Sequence, residues 1–215
     1  VAVKLLSGSN LGSEFVARFR SEAQSAARMQ HPNIVTIHEI GATPRFSYFS
    51  MQLVDGESMA ERLAREGALP PREAALAMRT LAEAVEYAHE LNILHLDLKP
   101  ANVLVEKGGR LYIADFGLAR PLDQALASEN DEISGTPSYM APEQIQIREH
   151  RLSRATDLYG LGAMLYEFLC GKPPFRGANA QDTLRKVLHD PPPSLREQVP
   201  GLSRDLEAIC MKCLA

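Results

Sequence analysis

At 215 residues, with 45% hydrophobic and 23% charged side chains, the chain has the balance of a globular protein and the length to bury roughly 70% of its extended surface. Its 23 Lys and Arg against 27 Asp and Glu leave a net charge of −4, with no basic run long enough to follow a phosphate backbone, so nucleic acid is not expected as a partner. No stretch approaches the ~18 consecutive apolar residues of a membrane span and Lys4 breaks the opening apolar run, so a cytoplasmic segment without membrane contact is expected.

The run VAVKLL opens the chain as a short strand, and SEFVARFRSEAQSAARM follows with Phe15, Phe19, Ala23 and Ala26 at helical spacing and Ser13 as N-cap. After HPN, the runs IVTIHEI and FSYFSMQLV, separated by GATPR, predict a β-hairpin. DGES has the composition of a connector. Beyond it the chain turns to Ala- and Leu-rich helix, PREAALAMRTLAEAVEYAHEL, with Leu81, Val85 and Ala88 on one face.

Two short strands, around VLV and LYIAD, flank the turn KGG, and a polar stretch from about Pro121 to Ser134 predicts a loop. The later run LYGLGAMLYEFLC is apolar on nearly every side, as a helix at the centre of a domain must be. GKPPF stops it, DPPPS marks another loop, and an amphipathic helix follows. Of the three cysteines, Cys210 and Cys213 form a C-x-x-C, but inside helical spacing and with no second ligand pair, so metal or redox use is not expected. His38, His89, His150 and His189 stand in helix or turn contexts without a partner at metal spacing and are expected at surface or satisfied positions.

The segment HLDLKPANVLV carries the chemistry. A carboxylate at Asp97 can accept the proton of an attacking hydroxyl, Lys99 can neutralise a phosphoryl group in transfer, and the Asn102 amide oxygen can ligate a hard cation. A polar turn between strands would be the bland alternative. Asp115-Phe116-Gly117 and Ala141-Pro142-Glu143 then follow in order, the latter within GTPSYMAPEQ.

Taken together these segments resemble the protein Ser/Thr kinase family, in particular the bacterial eukaryotic-like group, whose catalytic loop differs from this one only at Leu96. The resemblance implies an α+β fold of two lobes, truncated at both ends: a smaller lobe over residues 1–54 and a larger one over 55–215. It implies ATP and Mg²⁺ as cofactors, protein substrates with Ser or Thr hydroxyls, and Thr136 as the residue that seats the substrate near Asp97. Lys4 would grip the α- and β-phosphates and pair with Glu22, while Asn102 and Asp115 would hold the metal. Met51 would be the gatekeeper, Gln52 and Val54 the backbone contacts of the hinge, and Ala2 and Leu104 the apolar layers above and below adenine. Asp157 would brace the catalytic loop from below, with Tyr159 where a tryptophan is common, and His95 would stack near Phe116.

Three departures from the pattern carry expectations of their own. The chain starts at the lysine strand, so the Gly-rich flap is absent, SGSNLG is only a turn, and the first sheet should have an unpaired edge. The helix whose arginine would pair with Glu143 is also absent, which leaves that carboxylate unpaired and makes the chain a fragment of a longer gene product with little activity by itself. Leu96 replaces the arginine that docks a phosphorylated activation loop, so phosphates on Ser128 or Ser134 would have no partner there, and activity would depend on assembling the Lys4–Glu22 pair through a partner or a dimer of the parent protein. The alternative to catalysis is a pseudokinase scaffold. A small-molecule kinase of similar fold is disfavoured by the intact APEQ segment.

Overall fold

A computed structural model describes residues 1–7, 27–43, 46–116, 120–121, 136–146 and 151–215. Most of the expected helix beginning at Ser13, with Glu22 in it, and the loop with Ser128 and Ser134 lie outside the described residues.

The first sheet is antiparallel, with β1 (Ala2–Ser7), β2 (Ile37–Ala42) and β3 (Phe46–Met51) in the order β1-β3-β2. The hairpin expected from two β-branched and aromatic runs is β2–β3. Thr43 N–H closes it on Phe46 O at 2.8 Å, and Phe49 is buried against Ile37, Ile40 and Met51. Among the described residues β1 is an edge, with Val3 and Leu5 exposed.

The DGES segment departs from expectation. Gly56–Ser58 is not merely a connector but a strand, β4, which pairs with β6 (Val103–Glu106), itself paired with β7 (Leu111–Ile113). A Cβ on Gly56 would lie 1.9 Å from Val105 O, so the ladder closes only because glycine has none. Ser58 then starts helix α1 (Met59–Glu66) with a capping box: its hydroxyl accepts from Glu61 N–H while the Glu61 carboxylate accepts from Ser58 N–H at 2.7 Å. The serine and glutamate three residues apart make that start legible in the sequence.

Helix α2 (Pro71–Glu90) has proline at its first position, where no N–H is needed, and buries Ala74, Ala77, Leu81, Ala84, Val85 and Ala88 along one face. A two-stranded ribbon follows, β5 (Ile93–Leu94) against β8 (Arg120–Pro121), and one short helix, α3 (Pro142–Ile145), precedes the central one. Helix α4 (Arg154–Cys170) is buried on nearly every side, as its all-round apolar sequence requires, and ends at Gly171 in the left-handed conformation, φ 78°. Helices α5 (Ala180–His189), α6 (Leu195–Gln198) and α7 (Arg204–Cys213) complete the larger body. Among the described residues no helix is long and apolar enough to cross a membrane.

One strap ties the first sheet to the second: Val35 N–H donates to Ile113 O (2.9 Å), Ile113 N–H to Asn33 O (2.8 Å) and the Asn33 amide to Leu111 O (2.8 Å), while Gln52 N–H donates to Thr36 O (2.8 Å) and so carries the β2–β3 ladder one step past Met51.

Helices α4 and α7 cross at Gly162. A Cβ there would sit 2.6 Å from Cys213 Cβ, and the Cys210 thiol meets Gly162 O at 3.4 Å, so the C-x-x-C is used for packing. Burial pushes the Cys210 thiol up to about 12. Valine at position 162 must push α7 outward, and we expect Gly162→Val to lower stability by about 2 kcal/mol, seen as a lower urea midpoint at unchanged slope. An unchanged midpoint would show that the crossing yields freely.

Candidate active site

Everything near Asp97 hangs from one buried carboxylate. Asp157, in the first turn of α4, is 1% exposed; Oδ2 accepts from His95 N–H at 2.8 Å and Oδ1 from Leu96 N–H at 2.8 Å. The ring of His89, at the end of α2 and equally buried, places Nε2 2.7 Å from Oδ2. These bonds hold Leu96 at φ 64°, a left-handed conformation that is strained for a residue with a branched side chain, and the Gln144 amide secures the other side by donating to Leu96 O at 2.8 Å. The Leu96 side chain is buried with Leu94 and Leu152.

His95 faces inward, its ring 4.5 Å from that of Phe116, as the resemblance implies. Asp97 N–H donates to Nδ1 at 3.2 Å and Nε2 lies 3.3 Å from Ala114 O, which fixes the neutral ring with its proton on Nε2. Burial holds its pKa below the ordinary imidazole value, the neighbouring Asp157 and Asp97 carboxylates opposing in part.

The turned loop brings the expected reactive side chains together. Lys99 Nζ donates to Asp97 Oδ2 at 2.7 Å and to Thr136 Oγ1 at 3.1 Å, joining the catalytic loop to the segment before α3. The Asn102 amide donates to Asp97 O (2.8 Å) and Oδ2 (3.0 Å). Both contacts need the NH₂ group, so the amide oxygen is left facing away from Asp97 and open to a cation. That oxygen and the Asp115 carboxylate are hard donors of the kind Mg²⁺ takes, and among the described residues no group of three or more His, Cys, Asp or Glu is placed to hold a metal by itself. Such a donor set fits a magnesium ion that draws its remaining ligands from water and phosphate.

Asp115 sits at φ 59° and forms an ion pair with Lys4 of β1, both side chains about two-fifths exposed. Lys4 was expected beside Glu22, which lies outside the described residues. The expected nucleotide-lining residues also converge. Ala2 stands opposite Met51 across β1 and β3, and Met51, Val54 and Leu104 pack on the cluster of Val35, Tyr112 and Ala114. The Gln52 N–H is engaged by Thr36 O, so only its carbonyl can face a ligand, whereas Val54 N–H has no backbone partner among the described residues.

Glu143 has no ion-pair partner among the described residues, and its carboxylate accepts a hydrogen bond from the Thr156 hydroxyl at 2.8 Å. Nearby, the buried Tyr159 hydroxyl has no partner among the described residues, and burial together with the Glu143 charge raises its pKa. His89 is the residue sequence reasoning passed over. It was expected to be satisfied somewhere, but its partner Asp157 is 68 positions away, and no local pattern signals the pair.

A buried aspartate braces a left-handed loop that carries Asp97, Lys99 and Asn102, with a second carboxylate, Asp115, following that loop in the chain, and the chain matches the protein kinase domain over residues 1–215. It belongs to that family. Among its relatives, the serine/threonine-protein kinase PrkC of Bacillus subtilis is 35% identical over 216 residues, covering 100% of this chain and 33% of that protein. The kinase PknA of Mycobacterium tuberculosis is 36% identical over 98% of this chain and 50% of its own length, and PknB of the same organism is 36% identical over 100% and 35%. The chain thus spans between a third and a half of the length of these relatives.

Removing the Asp157 carboxylate strands two buried amides and the His89 ring. Asp157→Ala is expected to destabilise the chain by about 3 kcal/mol or more, measured by urea unfolding. A loss under about 0.5 kcal/mol would mean that the loop amides find other acceptors. The depressed pKa of His95 gives a signed pH effect. The unfolded imidazole binds a proton below about 6.5 while the folded one resists, so stability is full above that pH and falls as pH drops below it toward the folded value. Unfolding midpoints measured from pH 7.5 to 5.5 should decline, and His95→Gln should flatten the decline.

Proposed function

We propose that this chain transfers the γ-phosphoryl group of Mg-ATP to Ser or Thr hydroxyls of protein substrates, with residues 1–54 as the smaller lobe and 55–215 as the larger. The observation that carries the reading is the cluster in which Lys99 joins Asp97 to Thr136 while Asn102 holds the same Asp97 carboxylate. Names of the relatives PrkC, PknA and PknB as serine/threonine-protein kinases support the substrate class.

In this reading Asp97 is the base. Its Oδ2 is taken by Lys99 and Asn102, so the hydroxyl proton passes to Oδ1. Lys99 holds its ammonium beside that carboxylate, where charge on the departing phosphoryl group is neutralised, and Thr136 fixes the wall against which the hydroxyl-bearing residue lies. Lys4 exchanges its Asp115 contact for the α- and β-phosphates, which leaves Asp115 and the Asn102 oxygen to hold the metal. A bound Mg²⁺ would supply positive charge to neutralise the phosphate oxygens. Ala2, Leu104 and Met51 would offer the apolar faces for adenine, and the Gln52 carbonyl and Val54 amide the polar contacts for its edge. With Leu96 buried beside Leu94 and Leu152, the loop is fastened by apolar contact where an arginine would need a phosphate, so regulation does not run through that point.

The test is Asp97→Asn in the intact gene product, assayed with radiolabelled ATP. A fall in kcat of roughly 10²–10⁴-fold with little change in ATP affinity is expected. Undiminished turnover would remove Asp97 from the mechanism, and a wild-type protein that binds Mg-ATP without turnover would favour the scaffold.

A further inference from the structure

The glutamine of APEQ is buried beside the catalytic loop, and both ends of its amide are in use. Gln144, in α3, is 7% exposed. Its Oε1 accepts from Ala141 N–H at 3.0 Å, where Ala141 has no side-chain oxygen to cap the helix. A backbone N–H can only donate and a carbonyl can only accept, so the orientation of the amide is fixed: the NH₂ group is the end that donates to Leu96 O at 2.8 Å.

Leu96 O belongs to the planar peptide that also carries Asp97 N–H. Gln144 holds that plane at its oxygen, and His95 Nδ1 holds the opposite edge by accepting from Asp97 N–H at 3.2 Å. The shorter bond is the firmer hold. The plane before it is fixed by Leu96 N–H on Asp157 Oδ1 at 2.8 Å, so the left-handed turn at Leu96, φ 64°, lies between two peptides that are each bonded to a side chain from elsewhere in the fold. The second of these planes sets the direction in which the Asp97 side chain leaves the loop.

The same amide ties another element to that plane. Ala141 closes segment 136–141, whose first residue, Thr136, accepts from Lys99 Nζ at 3.1 Å. The segment is therefore fastened to the catalytic loop at both ends, by an ammonium at Thr136 and by an amide at Ala141.

We propose that Gln144 is a positioning residue for phosphotransfer: its amide sets the tilt of the Leu96–Asp97 peptide, and with it the direction of the Asp97 carboxylate, against segment 136–141. This rests on the reading of Asp97 as the base. The two hydrogen bonds of Gln144 go to Ala141 and Leu96, neither of them in the nucleotide-lining set, so its loss should fall on kcat and not on the KM for ATP.

Glutamate reproduces both bonds only when protonated, its carbonyl accepting from Ala141 N–H and its O–H donating to Leu96 O; ionised, it turns a negative oxygen toward that carbonyl. Burial and the two nearby carboxylates, Glu143 before it in α3 and Asp157 on the far side of Leu96, oppose ionisation, so the new carboxyl should titrate between about pH 6 and 8. Methionine keeps the length and offers no donor at any pH.

The test measures kcat of wild type, Gln144→Glu and Gln144→Met in the intact gene product with radiolabelled ATP, from about pH 6 to about pH 8.5, at a temperature where melting shows all three folded at every pH. Each rate is taken relative to wild type at the same pH, which cancels the titration of Asp97 itself. Gln144→Met is expected about tenfold below wild type throughout, with the KM for ATP within about twofold. Gln144→Glu should match the methionine variant at the alkaline end and climb to within about threefold of wild type at the acid end. A methionine variant within about twofold of wild type, a glutamate variant whose relative rate does not move with pH, or a loss carried by the KM for ATP would each overturn the positioning role while leaving Asp97 as the base. A wild type without turnover would instead remove the phosphotransfer reading, and this role with it.

Discussion

The carboxylate of Asp157 is the constraint on which the rest of the site depends. A charge buried to 1% exposure is tolerable only when its oxygens are fully engaged, and here two backbone amides and an imidazole engage them. The direction of support matters: the aspartate is rooted in the most deeply packed helix, α4, and reaches out to a loop that has no regular structure of its own. Rigidity therefore flows from the core to the reactive residues, and the strained Leu96 backbone is the visible sign of it. Gln144 adds a second anchor from α3, so the loop is held from below and from the side.

From that anchored loop the reactive groups follow by short chemical links. Lys99 is the pivot, since one ammonium satisfies Asp97 and Thr136 at once and so ties the position of the proposed base to the segment before α3. Asn102 does the same for the metal side. By donating to Asp97 it orients its own oxygen, so that the proposed base and the proposed cation ligand are set by one hydrogen-bond pattern.

Much of this was legible in the sequence because it is local. The spacing of Asp97, Lys99 and Asn102, the apolar run of α4 and the hairpin β2–β3 are all local patterns, where backbone geometry and side-chain chemistry decide the outcome together. Strand β4 was not legible. Three residues of DGES read as a connector, and only the close approach of Gly56 to Val105 makes them a strand. The His89–Asp157 pair and the Thr156–Glu143 bond were hidden for the same reason, being contacts between helices and loops far apart in the chain. Lys4 shows a different limit. Its residue type marks it as a phosphate ligand, while its ion pair with Asp115, 111 positions away, is a contact that no local pattern signals.

The strap between the sheets has a constructional meaning. The segment leading into β2 is stitched to β7 on both sides of Ile34, and the Gln52–Thr36 bond carries the β2–β3 ladder down to that same segment. The root of the first sheet and the outer strand of the second thus form one continuous seam, and the apolar cluster of Met51, Val54 and Leu104 with Val35, Tyr112 and Ala114 is shared masonry, laid across the seam by both sheets together.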